Sequence, residues 1–175
     1  RADIQKEKIL ITGASGGVGS AAIQLAKLRG ATIIAQCSPN KASFLKDLGA
    51  DQTVNRHDDL IQVLGVNSID AVFDLVGGKS WSQLLEILKP GGKYVVSGAI
   101  AGPIVDLDLR TLYLKDLIFF GSTVNDPYVF ENVIRYIEKG QIKPLVSQSF
   151  PLQDIKKAQN VFMEKKFVGK LVLVP

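Results

Sequence analysis

Short, nearly unbroken apolar runs alternate along this chain with longer segments whose apolar residues recur at helical spacing. Ile9-Leu10-Ile11 closes at Thr12-Gly13 and predicts a buried strand. Val18, Ala21, Ala22 and Leu25 follow at i, i+3, i+4 and i+7, one face of a helix that Gly30 stops. Residues 32–36 predict a second strand, 40–48 a short helix closed by Gly49, and 52–55 a weaker third strand. A helix over 58–64 and a fourth strand over 69–75 come next. Ser80 and Gln83 stand at capping-box spacing and open a helix through Leu88. Pro90-Gly91-Gly92 is expected to break it, leaving 93–97 as a fifth strand. A short helix over 107–114 and a sixth strand over 117–122 follow. Asp126-Pro127 reads as an N-cap with proline at the first helical position. Phe130, Val133, Ile134 and Ile137 form the stripe of that helix, and Gly140 ends it. Asp154 caps a last helix that turns Ile155, Ala158 and Phe162 inward, and 171–174 is a terminal strand.

Strands alternating with helices imply a parallel sheet covered on both faces. Six of them predict an α/β fold, a doubly wound Rossmann-type parallel sheet of about six strands. No internal repeat, low-complexity stretch or long linker interrupts it.

Composition narrows the class. With 175 residues, 46% hydrophobic and 22% charged, the chain can bury a real core, which excludes general disorder. One cysteine, Cys37, excludes a disulfide framework and a cysteine zinc cluster, and it suits a reducing compartment. The longest uncharged run, 9–26, holds four glycines with Thr12, Ser15, Ser20 and Gln24, too polar for a bilayer helix. Residues 1–8 are charged with no apolar stretch behind them, so no signal peptide is expected, and a cytoplasmic location is. The net charge is +4. From Lys139 onward seven lysines face two acids, Asp154 and Glu164, yet no aromatic residues alternate with them as a stacking platform requires. That basic third therefore reads as a solvated helix and tail, with neither nucleic acid nor membrane as partner.

The chemical signal is Thr12-Gly13-Ala14-Ser15-Gly16-Gly17-Val18-Gly19, set between the first strand and the first helix. Glycines let the backbone turn sharply and approach a pyrophosphate, and the helix N–H groups and dipole favour its charge. Dinucleotide sites for NAD usually carry an acid about 20 residues after such a loop. Here the second strand runs into Gln36-Cys37-Ser38-Pro39-Asn40-Lys41, with no acid. A carboxylate would repel a 2′-phosphate, whereas Ser38 and Lys41 could bind one, so NADP(H) is the expected cofactor. Arg56 could add positive charge near the adenine end.

Three families compete for this loop. Thr12-Gly13-x-x-x-Gly17-x-Gly19 fits a short-chain dehydrogenase, but those enzymes need a Tyr-x-x-x-Lys pair. The four tyrosines are followed four residues later by Gly98, Leu117, Asn132 and Gly140, so that reading fails. Leu88-Lys89-Pro90-Gly91-Gly92-Lys93 resembles a segment of S-adenosylmethionine-dependent methyltransferases, but the missing acid argues against them too. The third resemblance covers essentially the whole chain. Ala14 to Gly19, Ala22-Ile23-Gln24-Leu25-Ala26-Lys27 and Gly30-Ala31 are similar to the cofactor domain of medium-chain dehydrogenase/reductases. So are Lys41 with Leu48-Gly49-Ala50-Asp51, Phe73-Asp74-Leu75-Val76-Gly77-Gly78, and Gly169-Lys170-Leu171-Val172-Leu173. The closest branch is the zinc-independent quinone oxidoreductases, and zinc-type alcohol dehydrogenases share much of the pattern.

The resemblance implies more than the residues alone do. In that family a GroES-like catalytic domain precedes the cofactor domain, and only twelve residues precede Gly13 here. The expected organisation is an NADP-binding domain over 1–144. A strand, helix and strand over 145–175 would return toward a catalytic domain outside this chain, or pair with each other or fray without it. Any catalytic zinc would find its ligands upstream, since His57 and Cys37 are lone residues and no metal site is expected here. The implied reaction is hydride transfer from C4 of the reduced nicotinamide to a quinone, enone, aldehyde or ketone. By resemblance Ser15, Gly16, Gly17 and Val18 hold the pyrophosphate, and Ser38 and Lys41 the 2′-phosphate. Val76 and Gly77 border the ribose and adenine. Ser97, Gly98 and Ala99, with Phe120, Gly121 and Ser122, lie along the nicotinamide. No catalytic residue is expected within the chain, which alone should turn nothing over. Trp81, Tyr94 and Tyr136 read as packing. A homodimer is expected through the edge strand at 117–122, where Leu117-Ile118-Phe119-Phe120 is strongly apolar. A reductase-like binding protein without catalysis is the reading from another class.

Overall fold

The computed structural model describes residues 2–175; Arg1, the first residue of the charged opening segment, lies outside them. Six strands make the main sheet: β1 (Lys8–Ile11), β2 (Thr32–Cys37), β3 (Gln52–Asn55), β4 (Ile69–Asp74), β5 (Leu88–Val96) and β6 (Ile118–Gly121). They pair in the order β3-β2-β1-β4-β5-β6, all parallel. The expected α/β doubly wound sheet is the one observed.

Alternation along the strands splits the core in two. Ile9, Ile11, Ile33 and Ala35 join one cluster with Ile23 of α1 (Gly17–Leu28) and Leu45 of α2 (Ala42–Asp47). Leu10, Ile34 and Val72 join the other, with Leu60 of α3 (Leu60–Leu64) and Leu84 of α4 (Trp81–Glu86). Central strands buried on both faces explain why β1 and β4 read as apolar runs.

The fifth strand is longer than the sequence suggests. It begins at Leu88 and runs through Pro90-Gly91-Gly92, which the pattern reads as a break. The register against β4 shifts between Ile69 and Ala71, so the glycines build a bulge instead of an end. Gly91 takes φ +74 and its N–H donates to the Lys115 carbonyl at 2.7 Å. Ser80 and Gln83 do not form a capping box either. Ser80 makes no side-chain cap bond, and Gln83 Oε1 accepts the Leu60 N–H at 2.9 Å, serving α3. That helix is doubly served, because Asp59 accepts from the Ile61 and Gln62 N–H groups.

After β5, α5 (Leu109–Leu114) leads to β6, and α6 (Pro127–Glu138) follows. Asp126 stands before Pro127 without a side-chain cap bond. The expected stripe is not the buried one: Phe130 is 68% exposed, and Ile134 and Ile137 are also exposed. The helix instead turns Val129, Val133 and Tyr136 toward a cavity of 480 Å³ that separates it from Ile11 and Phe73 of the sheet. Two apolar stripes share one helix, and spacing alone does not choose between them.

The chain ends in β7 (Val146–Pro151), α7 (Ile155–Glu164) and β8 (Lys170–Val174). The two strands pair with each other in parallel, apart from the main sheet. Ala158 and Phe150 are buried, but Ile155 and Phe162 are exposed, contrary to the inward face expected for both. Asp154 makes no cap bond, and the turn 152–154 already starts the helix.

Candidate functional site

A crevice opens at the carboxyl ends of β1 and β4, where the chain leaves the sheet toward opposite faces. Its first wall is the glycine loop. Thr12 N donates to Phe73 O at 3.0 Å, which fixes the loop's origin on β4. Gly13 takes φ +58, where a Cβ would sit 3.1 Å from Val76 Cγ2. A Cβ at Gly19 would sit 2.5 Å from the Gly13 carbonyl, so the helix can start this close to the strand only with glycine there. No side chain caps α1, and its first turn holds no acid. Among the described residues nothing accepts from the N–H groups of Val18 and Gly19, the Gly17 N–H faces the Gly169 carbonyl across an isolated bridge, and Ser20 N–H donates to Gly16 O at 2.9 Å. Ser15, Gly16, Gly17 and Val18 thus surround a concentration of unmatched donors with the helix dipole behind them.

The C-terminal segment lies against this loop, a contact that residue spacing does not announce. Gly169 N donates to Ser15 O at 3.0 Å, and Gly16 and Gly169 form an isolated parallel bridge. The methylenes of Lys170 cover Gly17 so closely that a Cβ there would run into its Cδ and Cε. Lys170 is therefore a site residue that sequence reasoning missed, although Gly169-Lys170 stood within a motif already carrying the resemblance.

Ser38 and Lys41 lie at the end of β2, on the far side of the loop. Lys41 is not free: Nζ donates to the carbonyls of Lys165 at 2.8 Å and Phe167 at 2.7 Å. Two of its three N–H donors hold the C-terminal segment, and one remains. Burial, then Arg56, lowers its pKa from the usual lysine range, opposed by Cys37. Arg56 is thus near enough to be felt, while its Nε donates to His57 Nε2 at 3.0 Å. The Cys37 thiol is buried and pushed up by that burial, with Lys41 pulling the other way.

The second wall follows β4. Gly77, at φ +65, approaches so closely that a Cβ would meet Gly102 O at 2.9 Å and Ala99 Cα at 3.2 Å. A Cβ at Gly98 would sit 2.7 Å from Leu75 O. Val76 and Gly77 are thereby brought onto Gly98 and Ala99. Ser97 Oγ donates to the Ser122 carbonyl at 2.7 Å, tying the end of β5 to the strand end that carries half-buried Phe120 and exposed Gly121. The structure therefore assembles the loop, 76–77, 97–99 and 120–122 along one crevice.

Asp74 holds much of this together, although sequence reasoning assigned it no role. Its carboxylate is fully buried. Oδ1 accepts from Thr12 Oγ1 at 2.6 Å, Val76 N at 2.9 Å and Gly77 N at 3.1 Å. Oδ2 accepts from Gly77 N at 3.2 Å and Tyr94 OH at 2.5 Å. Thr12 Oγ1 in turn accepts from Leu75 N at 2.9 Å. Tyr94 does pack as expected, edge-on to Trp81 with centroids 4.8 Å apart. Its hydroxyl adds a polar duty, and burial first, then Asp74, pushes the phenol well above its usual pKa.

Among the described residues no group of three or more His, Cys, Asp or Glu side chains is placed to hold a metal. His57 and Cys37 stand in no such group and do not make a zinc ligand set. Among the same residues no helix is long and apolar enough to cross a membrane.

Comparison with known proteins agrees with the geometry. The pattern of the zinc-binding dehydrogenase family matches residues 17–139. A solved structure from Sinorhizobium meliloti, provisionally assigned as an alcohol dehydrogenase, is 50% identical and superposes with a TM-score of 0.92 over 98% of this chain and 49% of its own. The Escherichia coli quinone oxidoreductase complexed with NADPH is 28% identical, with a TM-score of 0.86 over 98% of this chain and 58% of its own. The acryloyl-coenzyme A reductase of Sulfurisphaera tokodaii is 32% identical over 97% of this chain. The chain spans about half the length of that relative, 51%. Family pattern, sheet order and crevice coincide: the chain is the nucleotide-binding domain of a medium-chain dehydrogenase/reductase and belongs to the zinc-binding dehydrogenase family.

Proposed function

We propose that this chain binds NADP(H) along the crevice and forms the cofactor half of an NADPH-dependent oxidoreductase acting on a quinone, enone, aldehyde or ketone. The observation that carries the reading is the start of α1. The unmatched N–H groups of Val18 and Gly19, the lack of an acid in the first turn, and glycines at 13 and 19 that leave no room for a Cβ suit a pyrophosphate. Lys170 would close that end from above, since its stem already lies over Gly17. Ser38 and the remaining donor of Lys41 would meet the 2′-phosphate, with Arg56 adding positive field. The absence of an acid at the end of β2 removes the repulsion an NAD-type site would impose. Val76, Gly77, Gly98 and Ala99 would shape the path toward the ring, and Ser97 and Ser122 would keep β5 and β6 in register beside it.

When bound, the cofactor supplies the hydride from C4 of its reduced ring. This chain's own contribution is to bind, orient and shield it. The same reading takes β6, the outermost strand of the sheet, as the seam between two copies. A dimer mass in light scattering that Ile118→Lys reduces to a monomer would support the seam, and a monomer at tens of micromolar would remove it.

The deciding experiment is calorimetric titration with NADPH and NADH. Tighter binding of NADPH, lost in Lys41→Glu, is the expected result. Tighter NADH binding moves the reading to NAD, and no binding of either removes it, with S-adenosylmethionine the next ligand to titrate.

A further inference from the structure

We propose that Asp74 biases the crevice toward the oxidised nicotinamide cofactor, because its buried carboxylate is a fixed negative charge under the crevice that no cation among the described residues cancels. The inference rests on the dinucleotide reading above.

The charge state follows from the donors. Thr12 OH, Tyr94 OH and the N–H groups of Val76 and Gly77 all point at the carboxylate. The two N–H groups cannot accept, and the Thr12 oxygen already accepts from Leu75 N. A neutral acid would set its own proton against this ring of donors, whereas an ionised carboxylate satisfies all of them. No lysine, arginine or histidine pairs with it among the described residues. The charge is hydrogen-bonded but not neutralised, and its full burial keeps water from screening it.

Its place in the fold decides what it acts on. Asp74 is the last residue of β4, and its own carbonyl accepts from Ser97 N at 3.0 Å. The loop it holds rests on Ala99 through Gly77. Its carboxylate therefore lies between Thr12 at the root of the glycine loop and Tyr94 of β5, under the loop that reaches Ala99. A negative charge there repels the phosphates of both cofactor forms alike. Only the ring differs between them: cationic when oxidised, neutral when reduced. The ratio of the two affinities isolates that difference, and a structural role alone does not move it.

The test is calorimetric titration of this chain with NADP⁺ and with NADPH, for wild type, Asp74→Asn and Tyr94→Phe. Asp74→Asn is expected to shift the affinity ratio roughly five- to twentyfold toward the reduced form, the size of one unit-charge interaction over about 10 Å at an effective dielectric of about 20. Tyr94→Phe strips one hydrogen bond from an intact charge, so its ratio is expected to hold or to move toward the oxidised form. This second arm does not depend on the asparagine variant folding. If Asp74→Asn weakens both forms equally, or Tyr94→Phe moves the ratio toward the reduced form, Asp74 only positions the loop and the proposal falls. A wild-type chain that binds neither nucleotide overturns the dinucleotide reading together with this one. Binding of both with an unchanged ratio in Asp74→Asn overturns this one alone.

Discussion

The six-stranded sheet and the β7–α7–β8 unit are both parallel α/β structures, yet they are held in different ways. In the sheet, Leu10, Ile11, Ile33, Ile34 and Val72 are wholly buried, with helices over both faces. In the terminal unit only Phe150 and Ala158 are buried among the apolar residues, and Phe162 is half exposed beneath the Lys165 ammonium, 3.4 Å from its ring centre. A two-stranded sheet is marginal in water on its own. The terminal unit therefore depends on where it is fastened: Val168 packs on the cluster around Ile23, and the polar fastening points are also walls of the crevice, Lys41 to the 165 and 167 carbonyls, Gly169 to Ser15, and Lys170 over Gly17. One region has a core of its own, whereas the other draws its order from the site.

The largest effect should come from breaking the first region. Ile34 has no exposed surface and packs between β1 and β3, so Ile34→Ala should cost about 2–5 kcal/mol in urea unfolding. Phe162→Ala, at a half-exposed position in the second region, should cost under about 1 kcal/mol in the same experiment. Equal losses at the two positions would erase the distinction between the regions.

Next in size is the fastening itself. Lys41→Glu removes two hydrogen bonds to carbonyls and places an acid where they converge. Loss of a charged contact is worth about 1.5–3 kcal/mol, so NADPH affinity should fall by about 10- to 150-fold. Amide hydrogen exchange over 165–170 should accelerate while β1 and β4 stay protected. Lys41→Met sharpens the point, because it frees the segment without adding repulsion. Rapid exchange in both variants with NADPH weakened mainly in Lys41→Glu would separate the clamp from the phosphate contact.

Reading the sequence went furthest where one force decides. Apolar runs at 9–11 and 71–73 have no solvent-facing alternative, so β1 and β4 and their place in the sheet were legible. The glycine loop was legible because Gly19 leaves no choice of side chain. Reading failed where long-range partners decide. Pro90-Gly91-Gly92 looks like an end until the Lys115 carbonyl is there to receive Gly91. Gln83 looks like half of a capping box until Leu60, 23 residues earlier, offers its N–H. Asp74 and Lys170 had no local signal of their roles, because the donors around one and the glycine under the other come from distant segments.

A smaller effect tests how tightly the first region is tied to its loops. Tyr94→Phe leaves Asp74 Oδ2 with only the longer Gly77 N–H bond inside the core, and loss of a hydrogen bond to a charged group costs about 1.5–3 kcal/mol. The aromatic contacts to Trp81 and Phe119 survive in that variant, so thermal unfolding should report the hydroxyl alone. A loss below about 0.5 kcal/mol would mean that water reaches the carboxylate once the hydroxyl is gone.

The smallest effect is electrostatic and also belongs to the sheet. Asp51 accepts from Lys27 Nζ and from the Ile33 N–H, both at 2.8 Å, joining α1 to the start of β2. The Lys27 hydrogen bond, then that backbone bond, lowers its pKa below the ordinary aspartate value. A carboxylate held lower in the folded state than in the unfolded chain stabilises the fold above its unfolded pKa, about 3.9. That contribution is lost as pH falls through the folded value. Asp51→Asn should therefore be less stable than wild type at neutral pH, by under about 1 kcal/mol because the pair is partly exposed and screened. The gap should narrow as pH drops below about 4. No gap at neutral pH would show that Asp51 acts through its backbone hydrogen bond to Ile33, which asparagine keeps, and not through its charge.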